Sequence, residues 1–121
     1  MDQVVQDALA KDRVIDITTI GRASGEPRRL EMWFHNLDGD IYITGTPGKR
    51  DWYANMVANP AFTFHVKVSA TADLPATARP ITEEAERRAV LARILANLDR
   101  PGELETWMTE SPLVAVTFSE V

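Results

Sequence analysis

The chain has 121 residues, of which 45% are hydrophobic and 26% charged, a balance typical of a globular domain rather than a disordered segment. We therefore interpret residues 1–121 as a single domain. A net charge of -5 argues against non-specific nucleic-acid binding, and the absence of cysteine excludes disulfides and cysteine nucleophiles and favours the cytoplasm. No apolar run reaches the roughly 20 residues that span a bilayer, so we expect no integral membrane segment.

Hydrophobic periodicity in the first third of the chain predicts a short helix and then three strands. The helix covers residues 2–11, and a β-branched strand follows over 14–20. Residues 28–35 alternate, which predicts a strand with two different faces. Asp38-Gly39 suits a tight hairpin turn, and residues 41–46 form the partner strand. One face of the alternating strand carries Leu30, Met32 and Phe34, and the other carries Arg29, Glu31, Trp33 and His35.

The rest of the chain alternates between predicted strands and helices. A helix over about 49–58 is closed by Asn59-Pro60, because the residue before proline avoids helical angles. Pro75 cannot donate to a ladder, so we expect a bulge or an edge there. The remaining elements are strands over 62–68, 70–80 and 113–118, a helix capped by Thr82, and a short helix over 103–109. Six strands and three or four helices, with no regular βαβ alternation, predict an antiparallel α+β domain, a small barrel.

Several kinds of site can be weighed on residue types alone. His35 and His65 are the two histidines, and no spaced carboxylate stands beside either, so we expect no metal site. The residue types of a Ser-His-Asp triad are present, but no nucleophile elbow accompanies them. Glu83 and Glu84 lie near Arg87 and Arg88 at helical spacing, which we interpret as a solvated face. His35 could line a site, because it shares a strand face with Trp33 and Arg29.

Two glycine-bearing loops carry positive charge in this acidic chain. The first runs from Gly21 to Gly25 and is followed by Arg28-Arg29, so backbone amides, Ser24 and guanidinium groups could surround an anion. The second runs from Gly45 to Gly48 and precedes Lys49 and Arg50, which we place in the first helical turn. Cations there oppose the helix dipole unless an anion is bound. An anionic, partly aromatic ligand suits this arrangement, and so does a plain dimer interface.

The order and spacing of several short pieces resemble one protein family. The pieces are Thr18-Thr19-Ile20-Gly21-Arg22, Ser24-Gly25, Pro27-Arg28-Arg29, Glu31-Met32-Trp33-Phe34, Asp38-Gly39-Asp40, Asp51-Trp52-Tyr53-Ala54-Asn55 and Ala58-Asn59-Pro60. From Val14 onward the chain is similar to the deazaflavin-dependent nitroreductases and quinone reductases, among the split-barrel flavin and deazaflavin oxidoreductases.

This resemblance implies a six-stranded split β-barrel, usually a homodimer, that holds the deazaflavin coenzyme F-420 in a cleft. It also implies which residues bind the coenzyme: Arg22, Ser24, Gly25, Arg28 and Arg29 from the first loop and strand, Gly45, Thr46, Gly48, Lys49 and Arg50 from the second loop, and Trp52, Asn55 and Trp33.

The implied reaction is hydride transfer from the reduced coenzyme to a small electron-poor acceptor, a quinone or a nitroaromatic. The nitroreductase members use tyrosines in their C-terminal part, whereas this chain has only Tyr42 and Tyr53, so the proton donor stays unassigned. Ala23 stands where a cationic residue is common in the family. Two alternatives remain open: a split barrel that binds FMN or an apolar acid, and a structural dimer whose cationic loops pair with its own acidic C-terminal third.

Overall fold

The computed structural model describes residues 1–119. Within them, seven strands form one antiparallel sheet accompanied by four α-helices. The strands are β1 (Val14–Ile20), β2 (Pro27–Trp33), β3 (His35–Leu37), β4 (Asp40–Thr44), β5 (Ala61–Val66), β6 (Ala72–Pro80) and β7 (Leu113–Phe118). The helices are α1 (Gln3–Lys11), α2 (Asp51–Ala58), α3 (Glu84–Asn97) and α4 (Leu104–Glu110), with a 3-10 turn over Pro101–Glu103.

The strand order shows that the sheet curls into a barrel. The order is β2-β1-β5-β6-β7-β4-β3, so β2 and β3 are the two edges. Neighbouring strands lie about 4.8 Å apart, and a flat sheet of this kind would separate its edges by roughly 29 Å. Only Phe34 lies between β2 and β3 in the sequence, so the sheet must bend until its edges almost meet. The predicted α+β split β-barrel is therefore confirmed.

The predicted count of six strands is wrong, because the expected strand over 28–35 is divided at Phe34. Its first part, β2, pairs with β1 from Val14 opposite Trp33 to Ile20 opposite Pro27. Only β3 pairs with β4, through the predicted turn at Asp38-Gly39, whose φ angles are 56° and 98°. At Phe34 the backbone N–H donates to the Arg13 carbonyl at 3.0 Å, and the ring is buried in the barrel.

Two hydrophobic clusters lie on opposite faces of the sheet. Inside the barrel, the Phe64 ring makes edge-to-face contacts with Phe34 and Phe118, at centroid distances of 5.3 and 5.1 Å. Helices α1 and α2 add their buried side chains to this inner core. Helices α3 and α4 instead belong to a second cluster, around Trp107 and Leu91, with residues of β3, β4 and β7 that face outward. The outer faces of β2, β1 and β5 contribute nothing to that cluster.

The helix starts differ from the sequence prediction. Helix α2 begins at Asp51, and Arg50 is its N-cap with an extended φ of -135°, so Lys49 and Arg50 precede the first turn rather than lying in it. Helix α3 is capped by Glu83, whose carboxylate accepts from the amides of Ala85 and Glu86, and not by Thr82. Within residues 1–119, α3 is the longest helix at 14 residues, and no helix is long and apolar enough to cross a membrane.

Pro75 causes no bulge. It lies opposite Thr63 in a continuous register between β5 and β6. On its other side, Ser119 N–H donates to the Pro75 carbonyl at 3.0 Å, one residue beyond the last registered pair of β6 and β7. The missing proline N–H therefore falls at the end of that ladder, where its cost is smallest.

Candidate functional site

A cleft opens around the N-terminal end of α2 and has two parts. The first, which we call the loop pocket, has a volume of about 400 Å³ and lies between the 21–25 loop, β2 and α2. The second, the helix pocket, has about 690 Å³ and lies between α2, the start of α3 and the end of α4. Arg22 and Asp51 line both pockets, so the two are continuous. Each of the two volumes falls within the range of ordinary small-molecule sites.

The 21–25 loop is held in a compact turn by its own backbone. Gly21 N–H donates to the Glu26 carbonyl at 2.8 Å, and Gly25 N–H donates to the Gly21 carbonyl at 2.9 Å. A Cβ at Gly21 would lie 2.5 Å from the Ser24 hydroxyl oxygen, so a side chain there would push Ser24 away. Ser24 accepts a hydrogen bond from the Glu26 amide at 3.1 Å. The amides of Ala23 and Ser24 have no acceptor among residues 1–119 and remain free to bind an anion.

Asn55 fastens this loop to α2. Its side chain is 4% exposed, and its Oδ1 accepts from the Arg22 amide at 3.1 Å and from Arg22 Nη1 at 2.9 Å. Its Nδ2 donates to Thr19 Oγ1 at 3.4 Å. Arg22 also forms a 3.4 Å ion pair with Asp51. Asn55 therefore acts as a positioning residue. Part of the Arg22 guanidinium is already bound to Asn55 and Asp51 within the protein.

Arg28 and Arg29 lie on opposite faces of β2. Arg28 is paired with Thr19, whose buried side chain faces inward, and Arg28 lines the loop pocket. Its side chain forms no hydrogen bond or ion pair within residues 1–119. Arg29 is paired with Thr18 and donates through Nε to Asp16 Oδ2 at 3.0 Å on the outer face. Both arginines line the loop pocket, but only the Arg28 guanidinium has no protein partner among residues 1–119.

The second loop is ordered by Arg50 and by contact with α4. Arg50 Nη2 donates to the Thr46 carbonyl at 2.9 Å and to Thr46 Oγ1 at 2.8 Å. Gly48 N–H donates to the Glu110 carbonyl at 2.9 Å. Gly48, Lys49 and Arg50 line the helix pocket, whereas Gly45 and Thr46 line neither part of the cleft. The Lys49 ammonium forms no hydrogen bond or ion pair in the part of the chain that the structure describes, so its charge is available to a ligand.

The aromatic side chains near the cleft divide into two groups. Trp52 is buried and lines the loop pocket, and it makes an edge-to-face contact with Tyr53, at 6.1 Å between ring centroids. Tyr53 lines the helix pocket. Trp33 lies at the far end of β2, about 20 Å along the strand from Pro27, and lines neither part of the cleft.

Arg87 is a cleft residue that the sequence interpretation missed. Instead of pairing with Glu83 on a solvated face, its guanidinium donates to four backbone carbonyls: Met108 at 2.9 Å, Trp107 at 3.0 Å, Ile81 at 3.1 Å, and Ser111. Three of these carbonyls lie at the C-terminal end of α4, where a cation is favoured. Burial lowers the pKa of Arg87, and no carboxylate within residues 1–119 pairs with it. Its side chain therefore brings positive charge to the wall of the helix pocket.

One sequence signal could have revealed this placement. Position 87 lies four residues before Leu91 and so extends the apolar stripe of α3 toward its N-terminus. Its neighbour Arg88 behaves as predicted and pairs with Glu84 at 3.6 Å and with Glu105 at 2.9 Å.

A polar network that includes Arg29 covers the outer face of β2, β1 and β5. His65 is buried; its Nδ1 forms a hydrogen bond with the Asp73 carboxylate at 2.7 Å, and its Nε2 forms one with the Thr18 hydroxyl at 2.7 Å. Hydrogen bonds from Lys67 and Arg29 lower the pKa of Asp16. His65 thus has a carboxylate neighbour that its sequence position did not predict. Thr18 lines neither part of the cleft. Within residues 1–119, no three histidine or carboxylate side chains are grouped to hold a metal ion.

Comparison with known proteins decides the family. The family model described as F420H(2)-dependent quinone reductase matches residues 3–115, which is nearly the whole chain. The chain belongs to this family. As a member of the F420H(2)-dependent quinone reductase family, the protein is an F-420-dependent reductase, and its coenzyme is the deazaflavin F-420.

Solved structures with the same fold include three that cover most of the chain. A conserved hypothetical protein from Mycobacterium tuberculosis is 19% identical over 99% of this chain and 81% of its own, with a TM-score of 0.74. A structure described as an F420-H2 dependent reductase is 22% identical, over 88% of this chain and 95% of its own, with a TM-score of 0.66. Another, described as a domain-swapped dimer, is 21% identical over 88% of this chain and 81% of its own, with a TM-score of 0.63.

Proposed function

We propose that this F-420-dependent reductase transfers a hydride to a small electron-poor acceptor of the quinone or nitroaromatic type, with the coenzyme in the cleft described above. One observation carries the proposal: Arg28 and Lys49, which have no partner within residues 1–119, line the two joined parts of a single cleft. In a protein with a net charge of -5, this local excess of cations favours an anionic ligand.

The loop pocket suits the anionic tail of the coenzyme. The free amides of Ala23 and Ser24 and the Arg28 guanidinium offer donors of the kind that bind phosphate and carboxylate oxygens. Arg22 adds positive charge, since its side chain is still 47% exposed after its contacts with Asn55 and Asp51. Asn55 positions this donor set by holding the loop against α2.

The helix pocket suits the ring of the coenzyme and the acceptor. When bound, the reduced coenzyme supplies two electrons and one hydrogen as a hydride, so reduction of the acceptor also needs a proton. Of the two tyrosines, Tyr53 lines this pocket, and we assign the proton to its phenolic O–H. Arg87 and Lys49 place positive charge on the same wall, where it would stabilise negative charge on an acceptor oxygen.

The test compares the adjacent arginines of β2. Arg28→Gln should weaken F-420 binding by about 1.5–3 kcal/mol, because it removes a charged hydrogen bond to the anionic tail. The fluorescence of the deazaflavin reports binding in a titration. Arg29→Gln is the matched comparison and should weaken binding less, since Arg29 lines the same pocket but its Nε already donates to Asp16. An equal loss in both variants, or a loss only at Arg29, would contradict Arg28 as the principal contact, and no loss in either would place the coenzyme elsewhere.

The acceptor class needs a separate measurement. Oxidation of reduced F-420 should proceed with a small quinone and with a nitroaromatic, and it should slow in Tyr53→Phe without loss of coenzyme affinity. Tight binding of FMN in place of F-420 would contradict the proposal. We also propose a homodimer, since a structure with the same fold is described as a dimer.

A further inference from the structure

A third pocket, of about 280 Å³, lies at the opposite end of β2 from the cleft. It forms where the chain leaves α1 and enters β1, next to the break between β2 and β3. We call it the Trp33 pocket; the side chains that carry the argument are Lys11, Arg13, Trp33, His35 and Asn97. It shares no lining residue with either part of the cleft.

The walls of the Trp33 pocket carry an excess of positive charge. The side chains of Lys11 and Arg13 form no hydrogen bond or ion pair with the described residues. The one carboxylate in the wall, Asp12, accepts from the Ser69 amide at 3.0 Å and the Ser69 hydroxyl at 2.5 Å. Asp12 is therefore held by Ser69, while the Lys11 ammonium and the Arg13 guanidinium keep their donors open. An anionic group entering this pocket would meet donors without a competing partner.

Trp33 provides the apolar surface of the pocket. It is 51% exposed, whereas Trp52 and Trp107 are 6% and 2% exposed. A half-exposed indole offers a flat face on which an aromatic ring can stack. Exposure of this apolar surface to water is unfavourable in free energy. Trp33 lines the same pocket as the two free cations.

His35 adds a neutral hydrogen-bonding group. Burial, and then the nearby charge of Arg13, lower its pKa to about 4, so the imidazole is uncharged at neutral pH. A neutral imidazole offers one N–H donor and one acceptor nitrogen. Neither nitrogen has a partner among residues 1–119, and the side chain of Asn97 has none either.

We propose that the Trp33 pocket binds a small aromatic carboxylate, with its carboxylate on Arg13 and Lys11, its ring against Trp33 and a ring hydroxyl on His35. The volume decides the size of the ligand: it lies just below the range of about 300–1,000 Å³ that is usual for small-molecule sites, so it suits a single ring rather than a dinucleotide. The proposal does not depend on the coenzyme site, because the two sites share no residue.

The first experiment uses three probes on the full chain. Isothermal titration calorimetry should detect 4-hydroxybenzoate, and it should show at least tenfold weaker binding for phenol, which lacks the carboxylate, and for acetate, which lacks the ring. In an NMR titration with 4-hydroxybenzoate, the indole N–H signal of Trp33 should shift. The signal is assigned by its loss in Trp33→Phe. Binding of all three probes with the same affinity, or no binding at about 10 mM, would overturn the proposal, as would a Trp33 signal that is unaffected.

The second experiment separates this site from the coenzyme site. Arg13→Gln should weaken the binding of 4-hydroxybenzoate about tenfold or more, which is the scale of a lost charged hydrogen bond. It should leave F-420 binding unchanged. Arg28→Gln is the matched variant and should leave 4-hydroxybenzoate binding unchanged. A loss of 4-hydroxybenzoate binding in both variants, or in neither, would contradict a separate site here, whatever the outcome for F-420.

Discussion

Arg28 and Arg29 are chemically identical neighbours, yet β2 sends their guanidinium groups to opposite faces of the sheet. Strand periodicity predicts that they diverge. Which one reaches a ligand depends on Asp16, which binds Arg29, and on Thr19, which shares the face of Arg28. Both arginines are coenzyme candidates by resemblance to the family, and the structure supports Arg28 as the one to test. Whether a given arginine is available to a ligand thus depends on its neighbours rather than on its residue type.

His35 should make the stability of the protein pH-dependent. Its pKa is about 4 in the folded state, because of burial and the Arg13 charge, and near 6.5 in an unfolded chain. The unfolded state therefore binds a proton first as the pH falls, so the free energy of unfolding should decrease between about pH 6.5 and 4. The charged groups beside it in the pocket are Lys11, Asp12 and Arg13.

Urea denaturation across this pH range checks the expectation. In His35→Gln the decrease should be smaller by roughly 1–3 kcal/mol, because glutamine takes up no proton. Parallel curves for the wild type and the variant would show that His35 is equally protonated in both states.

Among the helices, α3 and α4 are joined by the part-buried Arg87 cation as well as by the exposed Arg88–Glu105 ion pair. Arg87 reaches from α3 to three carbonyls at the end of α4 and to the Ile81 carbonyl. This contact fixes the wall of the helix pocket, so the same residue contributes to packing and to the site. Helix spacing alone favours a pair between Glu83 and Arg87, but Glu83 is used as the N-cap of α3.

Arg87→Gln should destabilise the protein by about 2–4 kcal/mol, because buried carbonyls lose a charged donor. Arg88→Gln on the same helix is the matched control and should cost less than about 1 kcal/mol, since Arg88 makes exposed ion pairs. Urea denaturation at neutral pH measures both variants. Similar losses would mean that the carbonyl contacts of Arg87 contribute little to folding.

At the scale of the whole molecule, a single buried residue, Phe34, connects the two edge strands of the barrel. Phe34 joins two strands at opposite edges of the sheet and contacts the Phe64 ring in the inner core. The helices α3 and α4 cover one part of the outer surface, and the polar network around His65 lies on another. Two exposed valines, Val57 on α2 and Val4 on α1, lie outside both regions.

Sedimentation should show a homodimer of about 27 kDa, twice the 13.5 kDa chain mass. Val57 is exposed on α2. Asn59, directly after that helix, donates through Nδ2 to the carbonyl of Ile20, a second exposed apolar residue, so we expect the end of α2 to be part of the interface. Val57→Glu should shift the protein toward monomer, and Val4→Glu, a similarly exposed valine, should not. A 13.5 kDa species at every concentration would contradict the dimer, and equal effects of both substitutions would contradict this interface.

The amino-acid sequence by itself determined the alternation of the strands, the turn at Asp38-Gly39, the end of α2 before Pro60 and the two cationic loops. These features depend on local angles and on the periodicity of side chains, which neighbouring residues set. Tertiary structure alone decided that the strand breaks at Phe34, that Arg87 leaves the solvated face, and that Trp33 and Arg28 belong to different pockets. Those outcomes depend on contacts between segments far apart in the chain, such as Arg13 with Phe34 and Arg87 with Ser111, and no local pattern encodes such pairings.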